Sequence, residues 1–387
     1  MKPEISVIIP TLGNRDTLEL VLKALAGCIQ KPGSVEVLIA DNTPDGHFAA
    51  GARQRVLPES ERVVSCPKPG AASARNKGAA EASGRYLLFL DDDVVPKAGL
   101  IEAHLNCLKN VSGRISMGKL LPAEYVKNSI FGEFSIYRLF PDYRKFKEGL
   151  ALSCQHFNSA NFMVKKEDFL GSGGFDEGFD CYGWEDVEFG RRILKNGRVT
   201  VFCDQALAVH YVDSSLAGYL KKMKLMGISA VRLVKNHPEL SKLINILNYD
   251  SDRGVFRYNI TEITKLELEE NGALKACREF TAAAEQNAGE LRKLYNFTVM
   301  QELVFECYAL LLRHEYLSGL KEAFFSLSSA EREGVTASFE NFKVEKQCSL
   351  KEEAAALRGV IEYQDKHPVK HLLGRLKEKY SRRQKAE

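Results

Sequence analysis

Apolar runs of strand length alternate with helical periodicities over roughly the first 210 residues of the chain. "ISVIIP" (5–10), "VEVLIADN" (35–42), "RVVSC" (62–66) and "YLLFL" (86–90) are rich in β-branched and large apolar residues. Their near-continuous hydrophobicity predicts strands covered on both faces. Between the first two, Leu18, Val21, Leu22 and Leu25 fall at i, i+3, i+4 and i+7, and Gly27 follows as a stop, which predicts a helix. "GAASARNKGAAEASG" (70–84) reads as a second helix whose small side chains allow close approach to a sheet. This βαβα order predicts an α/β fold with a mostly parallel sheet flanked by helices.

Further along, "NFMVKK" (161–166), "RVTVFC" (198–203) and "ALAVHYV" (206–212) read as additional strands. "GSGGFDEGFDCYGWED" (171–186) is rich in glycine and acid and reads as a long functional loop. "VEFGRRILKNG" (187–197) resumes a helix that stops at Gly197. Beyond about residue 213 helical spacing dominates and strand signals fade. The pattern therefore divides the chain into an α/β unit at 1–214 and a mainly α-helical C-terminal region at 215–387.

Composition narrows the picture without changing it. The 387 residues are 45% hydrophobic and 27% charged with a net charge of +3, an ordinary globular balance that gives no argument for nucleic acid. The nine cysteines contain no C-x-x-C, which predicts free thiols in a reducing compartment rather than a disulfide framework or a zinc site. The opening "MKPEISVIIPTLGNRD" is a poor signal peptide, and no window has the length of a membrane span. A cytoplasmic location follows as the expectation. The tail at 366–387 carries eight Lys/Arg against two Glu. It reads either as a solvated terminal helix or as a peripheral contact with the anionic inner face of a membrane.

Candidate chemistry sits at the ends of the predicted strands. Asp91, Asp92 and Asp93 follow "YLLFL" directly. They fit a solvated turn, a hard divalent cation site, or the D-x-D arrangement of haloacid-dehalogenase-type phosphatases. In an extended chain Asp91 and Asp93 project to the same side, which suits Mg²⁺ or Mn²⁺. Glu185 and Asp186 stand where the acidic loop turns into a helix. They read as acids favoured by the helix dipole or as a general base. Trp184, the only tryptophan, fits either core packing or a sugar face. His210 in an apolar run is a core histidine unless a metal is present.

Taken in order, "SVIIPTLGNRDTLELVLKAL", "VEVLIADN", "GAASARNKG", "YLLFLDDD", "GGFDE" and "WEDVEFGRR" resemble family 2 glycosyltransferases of the inverting GT-A type over residues 4–215. The helical region after 215 resembles nothing comparable. One departure is "PTLGNR", where the family commonly has "PTYNR". The resemblance implies a Rossmann-like fold and a nucleotide-diphosphate-sugar donor, usually UDP-linked. Pro10, Thr11, Arg15, Asp41, Gly70, Arg75, Asn76 and Asp91 would serve the nucleotide. Asp92, with Trp184, would meet the donor sugar, and Asp93, His210 and Asp91 would hold Mn²⁺ or Mg²⁺. Asp186 would be the base, with Glu185 beside it. The acceptor would be a hydroxyl of a glycan, a lipid-linked sugar or a protein. Two rival readings remain at this point: a phosphatase or sugar-nucleotide pyrophosphorylase, and a non-catalytic nucleotide-sugar-binding scaffold. The helical region would provide an acceptor platform, a partner surface or an oligomer interface.

Overall fold

The computed structural model describes residues 2–13, 15–44, 46, 61–109, 112–212, 215–244, 247–250, 255–258, 273–292, 297–328 and 330–332. The basic tail at 366–387 and its expected membrane contact lie outside them.

The buried apolar runs become the centre of an eight-stranded sheet. In chain order the α/β part runs β1 (Ile5–Thr11), α1 (Arg15–Cys28), β2 (Val35–Asp41), β3 (Glu61–Ser65), α2 (Ala71–Glu81), β4 (Tyr86–Leu90), β5 (Val94–Pro96), α3 (Leu100–Leu108) and β6 (Arg114–Pro122). It continues with α4 (Ile130–Arg138), β7 (Asn161–Lys165), α5 (Lys166–Gly171), α6 (Glu185–Lys195) and β8 (Val199–His210). The sheet order is β3-β2-β1-β4-β7-β6-β8-β5. Neighbours from β3 to β4 are parallel. The further half is mixed, with β7 antiparallel to β4 and β6, and β8 parallel to β6.

Both faces of the parallel half are covered, as the uniform apolar runs require. The period of two divides each strand between two cores. Val7, Ile9, Leu88 and Leu90 pack on one face with α1 and α3, while Ile8, Leu87 and Phe89 pack on the other with α2, α5 and α6. Gly78 of α2 lies where an added Cβ would stand 2.6 Å from Ile8, so the small-residue helix does approach the sheet closely.

Two features differ from the sequence pattern. The runs at 198–203 and 206–212 form one strand, β8, because three extra residues bulge between Cys203, paired with Gly118, and Leu207, paired with Lys119. The polar Asp204 and Gln205 fall at this bulge and are exposed, so they imitate a strand break. The helix at the acidic loop starts at Glu185, before the expected Val187, with Trp184 as its N-cap.

The C-terminal region contains α7 (Leu216–Asn236), α8 (Ala273–Gln286) and α9 (Phe297–Ser326), and also a two-stranded antiparallel pair, β9 (Leu247–Asp250) with β10 (Val255–Tyr258). Helices α7 and α9 enclose a core that takes in Phe179 and Cys154, with Trp184 and Val187 packed against it. A second core joins α8 and α9 to Phe131 and Phe134 of α4. The helical region thus grips the acidic loop and α4. Among the described residues no helix is long and apolar enough to cross a membrane, and the eight described cysteines are free thiols.

Candidate active site

Strands β2, β1 and β4 are adjacent and parallel, so Asp41, Thr11 and the Asp91–Asp93 turn emerge at one edge of the sheet. In open α/β sheets this carboxyl edge is where ligands bind. At its centre the Thr11 hydroxyl donates to Asp92 Oδ2 at 2.6 Å. Burial pushes the Asp92 carboxyl up to about 7, the Thr11 hydroxyl works against that rise, and the charges of Asp93 and Asp91 add to it. Three adjacent acids are thus tolerated because each meets a different partner. Asp91 Oδ1 accepts from Arg75 Nη2 at 2.7 Å. Asp93 Oδ1 stands 3.2 Å from His210 Nε2. The antiparallel pairing of β5 with β8, which sets Val94 opposite His210, places that imidazole.

Arg75 is the hub. Its guanidinium, on α2, is buried and reaches both Asp91 and Glu185, with Nη1 at 3.6 Å from Glu185 Oε1. Burial opposes its charge, but Asp91, Asp186 and Glu185 outweigh that and hold its pKa above the ordinary value. Around it, Glu185 is raised to about 7, first by burial and then by the charge of Asp186, with Arg75 pulling the other way. Asp186 is also raised by burial, against the pull of Arg75 and Ser159. The Ser159 backbone N–H donates to Asp186 Oδ2 at 3.2 Å. Asp186 Oδ1 is buried without a hydrogen-bond partner in the chain. An unpartnered carboxylate oxygen of raised pKa is well suited to receive a proton.

Sequence comparison now bears on this arrangement. Residues 6–169 match Glycosyl transferase family 2, and residues 145–211 match the N-terminal domain of galactosyltransferase. Residues 6–169 belong to glycosyl transferase family 2. The pre-mycofactocin glycosyltransferase of Mycobacterium tuberculosis is 24% identical over 252 residues, 61% of this chain and 48% of its own length. The validoxylamine A glucosyltransferase of Streptomyces hygroscopicus subsp. limoneus is 26% identical over 294 residues, 68% of this chain and 63% of its own. The chain therefore spans about half to two-thirds of these relatives' lengths. A mannosyltransferase from Pyrobaculum calidifontis, solved in complex with GDP-Man and Mn²⁺, shares the fold with a TM-score of 0.51 at 17% identity, covering 83% of this chain and 88% of that one. The phosphatase and pyrophosphorylase readings of the triplet give way to the family assignment.

Within the family 2 domain the remaining sequence candidates take distinct places. Pro10 and Thr11 end β1, and Asp41, buried at the end of β2, accepts from the N–H and hydroxyl of Thr43. Gly70 precedes α2 with φ 107°, and its N–H donates to Asn42 Oδ1 at 2.9 Å. A Cβ there would press on the Phe179 carbonyl at 3.2 Å. Asn76 acts as a brace: its amide donates to Phe175 O and Glu177, and its Oδ1 accepts from the Phe175 N–H. Arg15 begins α1, and its side chain lies outside the described residues.

Trp184 sits at φ 70°, and it is the only non-glycine residue of positive φ among the described residues. Its indole N–H donates to the Met226 carbonyl at 2.9 Å, and its ring packs against the α7–α9 core. The strained backbone is held by those contacts, and it turns the chain so that Glu185 and Asp186 point toward Arg75. The geometry places this ring as an anchor of the acidic loop.

A separate cleft of ≈ 510 Å³ runs along the Ser73–Asn76–Lys77–Ala80 face of α2. Asn76, Lys68 and Glu177 line it, while Asp91–Asp93, Glu185 and Asp186 do not. The donor set at Asp93 and His210 is one carboxylate and one imidazole, about a quarter exposed. That combination fits Mn²⁺ better than the all-oxygen preference of Mg²⁺. Two contributors had no signal in sequence: the Thr11–Asp92 bond and the Ser159 N–H on Asp186, since both join segments far apart in the chain.

Proposed function

We propose that the domain is an inverting, divalent-metal-dependent glycosyltransferase. Its donor is a nucleoside-diphosphate sugar, UDP-linked, and its acceptor a hydroxyl of a glycan, a lipid-linked sugar or a protein. The observation that carries this reading is the convergence on buried Arg75 of a strand-end acid, Asp91, and the loop acids Glu185 and Asp186. One arginine thereby ties the donor edge of the sheet to the base.

Pro10, Thr11, Arg15, Asp41 and Gly70 line the nucleotide, and Arg75 fixes Asp91 toward its ribose. Asp92 receives the donor sugar. Asp93, His210 and Asp91 would hold Mn²⁺ or Mg²⁺, which when bound would offset negative charge on the diphosphate leaving group. Asp186 Oδ1 takes the proton of the acceptor hydroxyl as its oxygen attacks the anomeric carbon. The bond from that carbon to the diphosphate oxygen breaks, its electron pair leaves with the diphosphate, and the anomeric configuration inverts. The raised pKa of Asp186 brings the base closer to working pH than a solvated aspartate. Glu185 and Arg75 keep the charge around it balanced.

The test is nucleotide release with Mn²⁺ across UDP-, GDP- and dTDP-linked sugars. Turnover with UDP sugars is expected. Turnover with GDP sugars alone would replace the nucleotide, and silence across donors and a broad acceptor panel would return the chain to a binding scaffold.

A further inference from the structure

We propose that Cys107, Glu148 and Cys203 form a second metal site, for a thiophilic divalent cation of the Zn²⁺ class, apart from the acid triplet. Their ligand atoms all lie within 4.8 Å of one another. Sulfurs on a tetrahedral Zn²⁺ stand about 3.8 Å apart, given Zn–S bonds of about 2.3 Å, so shifts of about an ångström close the set. Nothing in the spacing of these residues announces it. Cys107 ends α3, Cys203 lies at the β8 bulge, and Glu148 belongs to the connection between α4 and β7.

The surroundings are those of a built site. The Cys203 thiol donates to the Ala103 carbonyl of α3 at 3.6 Å, which sets its sulfur on the Cys107 side of the strand. Glu148 Oε2 accepts from the Asp204 backbone N–H at 2.7 Å, which orients the carboxylate. Cys203 is buried, Cys107 half-buried and Glu148 exposed, so a cation enters from the Glu148 side and water completes the shell. Two thiolates select a soft ion, whereas Asp93 and His210 offer harder donors. The two sites thus sort different metals.

The location suggests what the ion does. The connection carrying Glu148 includes Phe140, whose ring is 6.2 Å from that of His210. It then pairs with β8 through Gly149 N–H to Phe202 O and Leu152 N–H to Thr200 O. A cation at Glu148 pins this connection to α3 and β8, and so steadies the wall beside His210.

The experiment titrates reduced, metal-free full-length protein with Co²⁺. A thiolate-to-cobalt charge-transfer band is expected, saturating at about one equivalent per chain and displaced by Zn²⁺. It disappears in the Cys107→Ser/Cys203→Ser double variant and persists in a Cys277→Ser/Cys307→Ser control. Exposed Glu148→Gln, which leaves the core intact, weakens Co²⁺ binding by roughly tenfold or more. Absence of the band, its survival in the Cys107/Cys203 double variant, or affinity unchanged by Glu148→Gln would each overturn the site. So would a Cys107–Cys203 disulfide found by mass spectrometry in the same reduced sample. The acid triplet contains no sulfur, so the band does not report on it and is indifferent to glycosyl transfer; the double variant separates this site from the other thiols.

Discussion

Asp186 and Glu185 are neighbours in sequence with different partners, and that difference separates their expected phenotypes. Asp186 keeps one buried oxygen without a partner, whereas Glu185 faces Arg75 and accepts from the Gly183 N–H. Asp186→Asn keeps the shape and removes the proton acceptor. Turnover should fall by roughly 10²–10⁴-fold, while donor binding measured by calorimetry changes little; unchanged turnover would remove Asp186 from the role of base. Glu185 titrates at about 7 in the fold against 4.5 for the free carboxyl. The folded chain therefore holds that proton more tightly than the unfolded one. The contribution of Glu185 to stability is best below about 4.5 and declines as pH rises through about 7. Glu185→Gln should accordingly gain stability relative to the parent between pH 5 and pH 8, on the order of 1–3 kcal/mol. Thermal melts at the two pH values measure it, and an equal difference at both would show that another group titrates.

At the scale of elements, the acidic loop is held by the helices packed against it. Helix α7 crosses α9 through reciprocal glycines. A Cβ on Gly227 would lie 2.0 Å from the Tyr316 carbonyl oxygen, and one on Gly319 would lie 1.9 Å from that of Lys224. Gly319→Ala must therefore separate the helices, at a cost of about 3 kcal/mol, and loosen the Met226 carbonyl that holds Trp184. Loss of activity without rise of donor KM is the kinetic signature of a displaced base. Helix α4 is tied in a second way. Glu285 of α8 accepts from the backbone N–H groups of Ile130 and Phe131 and from the Tyr308 hydroxyl. A carboxylate on the first turn of a helix satisfies donors that the helix itself cannot. Glu285→Ala should cost on the order of 2–3 kcal/mol in chemical denaturation and Tyr308→Phe about 1 kcal/mol. If both are silent, α4 does not depend on the C-terminal helices.

Across the whole molecule, a sheet edge of acids is joined to a helical region that braces the acidic loop from behind. Asp176 of that loop is paired with Arg232 and Asn236 of α7, and Glu177 with Lys68 and Asn76. On the proposed mechanism a divalent ion offsets the charge of Asp91–Asp93, where burial already pushes Asp92 toward protonation. Chelation with EDTA is expected to abolish transfer, and Mn²⁺ to restore it. Transfer that persists in EDTA would mean that Asp93 and His210 have no ion to hold.

The local pattern was sufficient for β1 to β4 and β7 and for the acids at their ends, and it missed β5, β6, β9 and β10. A fully buried strand must be apolar along its length, so "ISVIIP" and "YLLFL" declare themselves, and a carboxylate run after one marks where the chain leaves the core. The same logic fails where neighbouring residues do not carry the signal. Strand β8 hides its continuity behind the exposed bulge at Asp204, which lies opposite the unbroken Gly118–Lys119 step of β6. The single tryptophan fits packing or a sugar face in sequence, and only the structure shows that Met226 takes its N–H. Sequence by itself determined the α/β order, the acid triplet and the loop acids, because burial and strand period are properties of consecutive residues. Only the tertiary structure decided that Arg75 joins Asp91 to Glu185, that Thr11 meets Asp92, and that two distant cysteines face one glutamate. Those are pairings of charge and hydrogen bond between segments far apart in the chain, and their distances are set by how helices and sheet pack.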